Sequence, residues 1–419
     1  MHAVKPHPAS AQAPALAPSL VPSLAPVAQR GSNHVGMRQF NERVVLQAIR
    51  LHGSCAKAEL ARLTGLTAQT IGLIAARLED DGLLLRHQPV RGRIGQPSVP
   101  LALNPDGAFF IGIKLGRRST DWLLVDFCGQ VRQRHTLEYP FPDLDSLLPA
   151  LQQQLHSLHQ GLGPLHNRLA GVGVAAPFFM GGWHRMLGLS QAQAEQWNQI
   201  DLRARVQAMT QVPVSFSKDT TAACVAELVA GRGRDLKNFL YLFVDTFVGG
   251  GLVINSHLQG GAHGNAGAVA SMPSRMAKGA NLPEQLIGHA SLWELEQRFA
   301  AKGLDASAAY DERAVSEHAY QAETTAWTNQ AAQALALCVT SGTALLDIEA
   351  VVIDGACCRP LLAQLLQLTQ QALAHYNWEG LWQPQLHAGL MGSDARALGG
   401  ALVPLHASFA PDRDLFLKV

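Results

Sequence analysis

The chain has 419 residues, 47% of them hydrophobic and 16% charged, with a formal net charge of +1. That length exceeds one ordinary domain, and the composition supports a sizeable core. No apolar run reaches the ~18–20 residues of a bilayer span, which excludes a helical membrane protein and any membrane partner.

Residues 1–36 are rich in Ala, Pro and Ser and read as a disordered tail. Pro6, Pro8, Pro14, Pro18, Pro22 and Pro26 interrupt their apolar residues, so no signal-peptide core is expected. The expected location is the cytoplasm, at the nucleoid when DNA is bound. The six cysteines, Cys55, Cys128, Cys224, Cys338, Cys357 and Cys358, show no CxC or CxxC spacing. They read as reduced and mostly buried.

Residues 37–104 form a basic module. Nine Arg and Lys residues face five acids there, so the balance of the chain after Pro105 is negative. That asymmetry suits nucleic-acid contact by the module alone. A first helix begins near Asn41, with Val44, Val45, Ala48 and Ile49 on one face. A second runs from Ala56 to Leu63. Thr64-Gly65-Leu66 then turns the chain, and Thr67 caps a third helix over Ala68–Asp80. Strands at Leu83–His87 and Val99–Leu103 flank the loop Arg91–Pro97. Three helices and a two-stranded wing predict a winged helix-turn-helix.

In such a unit the third helix enters the major groove. Thr67, Gln69, Thr70 and Arg77 are the expected readers there. Arg91 and Arg93 are expected on phosphate and in the minor groove. Gly72 and Leu73 hydrogen-bond poorly, so polar readout is sparse. The plainer alternative is a protein-contact trio with solvated arginines.

From residue 105 the pattern becomes α/β. Strands are expected at Phe109–Leu115, Trp122–Phe127 and Arg132–Leu137, then a helix at Leu144–Leu162. Further strands fall at Gly171–Ala175, Val212–Phe216, Phe239–Phe243, Leu252–Asn255 and Val351–Ile353. Helices are expected at Thr220–Ala230, Thr325–Leu346, Pro360–His375 and Asp394–Leu405. This alternation fits mixed sheets covered by helices.

The run Ala58–Thr67, then Leu78–Leu83 and the wing, resembles the DNA-binding head of repressors in the ROK family (repressors, open reading frames and sugar kinases). Four further segments resemble that family's body: Gly171–Pro177, Val248–Ile254, Gly260–Gly267 and Gly392–Ala401. The resemblance implies an actin/hexokinase-like (ribonuclease H-like) fold of two α/β lobes around a cleft over residues 105–419. It also implies a homodimer or homotetramer.

The same resemblance marks departures. Family kinases open with a strand ending Asp-x-Gly-Gly-Thr; here Lys114 stands at the Asp position and Arg117 at a glycine. Asp245 and Phe247 alter the second phosphate segment. Phosphoryl transfer depends on positioning and charge neutralisation, so no catalytic residue, no enzyme activity and no cofactor are expected. The sugar signature Glu-x-Gly-His is replaced by Ala268, Val269, Ala270 and Ser271. The zinc cluster's cysteines are absent, leaving His289, so no metal is expected. The family's Asn-Asp pair appears as Lys218-Asp219. Asp219, Lys218, His263 and Asn265 are the expected ligand contacts. For Asp219, pairing with Lys218 or capping of the following helix is the equal alternative.

The reading is a regulator, in the first place a repressor, of carbohydrate uptake or metabolism genes. Its partners would be double-stranded DNA and a sugar, sugar phosphate or sugar acid; Lys114, Arg117, Arg118 and Lys218 would favour an anion. The alternatives are a ligand-independent regulator controlled by a protein partner, and an active sugar kinase.

Overall fold

The computed structural model describes residues 34–89, 99–178, 180, 190–274 and 283–411. The head comprises α1 (His34–His52), α2 (Lys57–Thr64), α3 (Ala68–Asp80), β1 (Leu84–Arg86) and β2 (Leu101–Leu103). Helix α1 starts inside the segment read as tail, because the last proline of that tail is Pro26 and nothing after it blocks a helix. Gly65 closes α2 at φ 71° and donates to the Ala61 carbonyl, a left-handed stop that glycine reaches without strain. β1 and β2 pair antiparallel. The loop carrying Arg91 and Arg93 lies outside the described residues.

The first lobe holds β3 (Phe109–Leu115), β4 (Ser119–Asp126), β5 (Val131–Glu138), α4 (Leu144–Gly161), β6 (Leu169–Ala176), α5 (Gln191–Gln199), α6 (Leu202–Gln207), β7 (Val214–Lys218) and α7 (Asp219–Ala230). The second holds β8 (Phe239–Val244), β9 (Gly249–Ile254), β10 (His257–Leu258), α8 (Ile287–Ala290), α9 (Leu292–Ala301), α10 (Arg313–Ser316), α11 (His318–Leu346), β11 (Ala350–Gly355), α12 (Arg359–Leu373) and β12 (Gln385–Ala388). The last helix, α13 (Ala395–Phe409), returns to the first lobe.

The two sheets repeat one topology. Their orders are β5-β4-β3-β6-β7 and β10-β9-β8-β11-β12, each an antiparallel meander followed by two parallel strands. Both lead strands are buried throughout because both faces are covered. Ile111 and Ile113 face Leu147, Leu151 and Leu155 of α4, whereas Phe110 joins Ala401 and Leu405 of α13. In the second lobe Leu240 and Leu242 face α11, while Tyr241 and Phe243 face α7. Helices α7 and α13 thus form a layer between the sheets.

The head shares its core with the body. Val45, Leu46 and Ile49 of α1 belong to the cluster that contains Phe110, Phe127 and Leu405. Arg50 lies 5.1 Å from the Phe127 ring centroid and donates to the Phe127 carbonyl at 2.7 Å. Burial lowers the Arg50 pKa to about 10. Arg168 and Arg234 from the body donate to the Asp81 and Leu51 carbonyls, at 2.7 and 3.0 Å. The core runs across the expected boundary at residues 104–105, so the head is seated on the first lobe.

Candidate functional site

In the head, α3 is fixed by its inner face: Ile71, Ile74, Ala75 and Leu78 are buried. Thr67 accepts from the Thr70 amide at 3.1 Å, and the two hydroxyl oxygens lie 2.8 Å apart. Both threonines therefore spend hydrogen bonds on the cap. Arg77 lies 3.3 Å from Glu42 of α1 and donates to the Leu73 carbonyl. Gln69 is exposed at the start of the helix. Of the four expected α3 readers, Gln69 alone makes no side-chain hydrogen bond or ion pair among the described residues.

The cleft is set by strand ends. Lys114 near the end of β3 is buried; its Nζ donates to Ser119 Oγ at 2.6 Å and lies 2.9 Å from Asp121 Oδ2. Burial, then the charge of Arg396, lowers the Lys114 pKa, and Asp121 opposes them. Burial works against charged Asp121, but the Lys114 ammonium and its hydrogen bond outweigh it and lower that pKa. Arg118 reaches across to Glu296 of α9 at 2.5 Å, and Tyr310 donates to the same carboxylate at 2.6 Å. Arg117 lies over the Phe247 ring, 4.9 Å from its centroid. Burial lowers its pKa to about 10, against the pull of Asp219 and Asp245.

The residue that sequence reasoning missed is Arg396 of α13. It is 7% exposed. Its guanidinium pairs closely with Asp245 and lies 3.9 Å from Asp219. Burial works against its charge, yet Asp245, Asp219 and Asp121 together raise its pKa. The signal available in sequence was one arginine inside the small-residue run Ala395–Ala401.

These pairings correct two expectations. The cleft cations do not form an open positive surface, because Lys114, Arg118 and Arg396 each face a carboxylate. Lys218 does not pair with Asp219. It donates to Asn265 Oδ1 at 3.2 Å and to the Ala266 carbonyl at 3.3 Å, pinning the glycine-rich loop to β7. Burial lowers its pKa against the Asp219 charge. Asp219 is the first residue of α7 and accepts from the Thr220 amide at 2.8 Å. So Lys218 and Asn265 come together, Asp219 turns to the cluster of Arg396 instead, and His263 is exposed and joins none of them among the described residues. His289 lies between Gln330, at 2.6 Å, and Glu284, at 2.9 Å. Among the described residues no group of three His, Cys, Asp or Glu could hold a metal ion.

A magnesium–nucleotide group does not fit this arrangement. Asp121, Asp245 and Glu296 are each matched by a cation of the chain, Lys114, Arg396 and Arg118, so none of the three carboxylates is left to neutralise a metal ion.

No helix among the described residues is long and apolar enough to cross a membrane. The chain is 25% identical to the xylose repressor of Bacillus spizizenii over 261 residues, which span 62% of this chain and 66% of that protein. It is 24% identical to the xylose repressor of Bacillus subtilis over 262 residues, again 62% and 66%. The chain thus spans just under two thirds of these relatives' length. Its fold matches the crystal structure of a ROK family transcriptional regulator, a homologue of the E. coli MLC protein. That match has a TM-score of 0.66 at 19% identity and covers 89% of this chain and 98% of that one. It also matches a ROK family glucokinase from Streptomyces griseus in complex with glucose and AMPPNP. There the TM-score is 0.56 at 17% identity, over 71% and 99% of the two chains. These likenesses support the two-lobed actin/hexokinase-like fold that the repeated sheets display. The ROK family model matches residues 110–405, both lobes and the cleft between them, and the chain belongs to the ROK family.

Proposed function

We propose that the protein is a sugar-responsive transcriptional repressor whose head binds duplex DNA and whose cleft has lost phosphotransfer. The observation that carries this reading is the head itself. Its helix-turn-helix is packed on the inside and open on the outside, and it shares a core with a ROK body. The relatives' names support a sugar as effector, with xylose and other pentoses first among candidates. The Arg396 Nε–H has no acceptor among the described residues, and we assign it to an oxygen of that ligand. Asp219 is the second assigned contact. The head assignment extends by sequence to Arg91 and Arg93 in the wing, and a symmetric dimer would present two heads to a two-fold operator.

The test is selection of bound fragments from the source genome by the full chain, followed by anisotropy on the winning duplex. Binding should weaken with salt, at a log–log slope of roughly −5 for a dimer touching about six phosphates. A pentose, hexose or their phosphates should release the DNA. Salt-independent binding, or none, would refute the reading. Turnover of ATP above background with any hexose would refute the loss of phosphotransfer.

A second reading has its own support. The cleft carboxylates are already matched by Lys114, Arg118 and Arg396. That suits a body that serves as a platform for a protein partner. Binding unaffected by every sugar, with a dedicated partner recovered alongside the DNA, would favour it.

A further inference from the structure

Helix α3 carries an exposed face of unusual chemistry. Its outward positions are Ala68, Gln69, Gly72, Leu73 and Ala76. Leu73, at the centre, is 62% exposed. A Cβ added at Gly72 would meet nothing within 4 Å, so the ground beside Leu73 is flat and open. A single exposed leucine on a surface is ordinary. Here it stands among small residues on the face that a helix-turn-helix turns outward, with Gln69 one turn before it and Arg77, which donates to the Leu73 carbonyl, one turn after.

The surroundings indicate the occupant. Lys57 and Arg62 on α2, the helix that crosses the phosphate backbone in this motif, make no ion pair among the described residues. Acid on α3 is confined to its far end, at Glu79 and Asp80, and Glu79 is held by Arg86 at 2.7 Å. Cationic flanks around a small apolar strip match a polyanion that offers methyl groups between its phosphates. In the major groove that group is the C5 methyl of thymine, and glutamine pairs with adenine.

We propose that Leu73 is a specificity-determining residue that reads thymine methyl groups, with Ala76 and Gly72 allowing close approach and Gln69 reading an adjacent adenine. The proposal rests on the DNA-binding reading above and adds the chemistry of the half-site: an A·T-rich core in the major groove, recognised through methyls more than through hydrogen bonds.

The test separates the methyl from the rest of the base. The full-length protein first selects its duplex from a random-sequence library. Each dT of the half-site is then replaced singly by dU, which removes one methyl and leaves every hydrogen-bonding edge. Affinity should fall about four-fold at one or two positions, the worth of one buried methyl group, and stay level elsewhere. Leu73→Ala, at an exposed site, should keep its thermal midpoint. It should bind the dT and dU duplexes equally at those positions, while Leu73→Met should keep part of the discrimination. Equal affinity of the wild-type protein for dT and dU at every position overturns the proposal while leaving the DNA-binding reading intact. So does a Leu73→Ala variant that loses affinity for both duplexes alike. So does one that changes only its sedimentation, which would make the strip a contact between copies. Failure to select any duplex removes both readings together.

Discussion

Replacing Arg396 by methionine should lower stability by about 3–5 kcal/mol, the cost of leaving a buried charge pair without one partner. The side chain is 8% exposed, and so little water reaches the cluster that the loss is not screened away. Asp245 and Asp219 would then face each other across the cleft without their shared cation. Adding Asp245→Asn should recover part of the loss, because it removes a stranded charge; the coupling between the two sites is read from a double-mutant cycle in urea. An unchanged unfolding midpoint in the single variant would show that the cluster contributes nothing net. The effect should extend beyond the cleft. Arg396 sits near the start of α13, and the end of that helix brings the Phe409 ring centroid within 4.8 Å of that of Phe127, the ring over which Arg50 of the head lies. One helix touches both places.

How far the sequence discloses this arrangement depends on the range of the interactions involved. The head is legible because its determinants are local. The Thr67 cap, the Gly65 stop and the spacing of Ile71, Ile74 and Leu78 lie within one stretch of chain, and α3 falls on the expected residues. Strand β3 is equally plain, since a run of seven buried positions needs no partner to be recognised. Helices α5 and α6 are not legible in the sequence because Gln191–Gln199 is mostly polar and Leu202–Gln207 is too short to show a period. Edge strand β12 is obscure for a related reason: one exposed and three half-buried residues carry little apolar signal. The cleft was the least legible part. Lys114 is visibly in the wrong place for a kinase, yet its partner Asp121 is reached only through the β3–β4 register. The Arg118–Glu296 bridge joins residues 178 apart. Pairings over such separations follow from the tertiary fold, so the sequence displays a row of cations without the carboxylates that match them.

A loss of comparable size should come from a far smaller change, Gly399→Ala. By helix propensity alone the substitution favours folding, by about 1 kcal/mol in a helix interior. Packing opposes it. A Cβ at Gly399 would lie 1.7 Å from the Ala222 carbonyl oxygen and 2.3 Å from its carbon. Those are backbone atoms of α7, so no side chain can swing aside. The rest of α13 cannot retreat either. Gly400 presents its carbonyl to Gly173 of β6, where an added Cβ would stand 1.8 Å away, and Ala397 does the same to Gly112 of β3, at 2.0 Å. The helix is wedged between α7 and the sheet of the first lobe, with glycines on both sides of the contact. Relief requires one layer to move, and dense interiors transmit such shifts without absorbing them. A destabilisation of about 3 kcal/mol or more is expected, at the upper end of overpacking penalties. Gly288→Ala supplies the control. It is also a helical glycine, but an added Cβ there meets nothing within 4 Å, so it should be neutral or gain up to about 1 kcal/mol. Thermal unfolding of the two variants side by side decides the matter. Equal midpoints would mean that α13 and α7 do not approach as closely as the glycines allow. A collapse confined to Gly399→Ala, with loss of DNA binding, would identify the α7–α13 layer as the element that joins cleft to head.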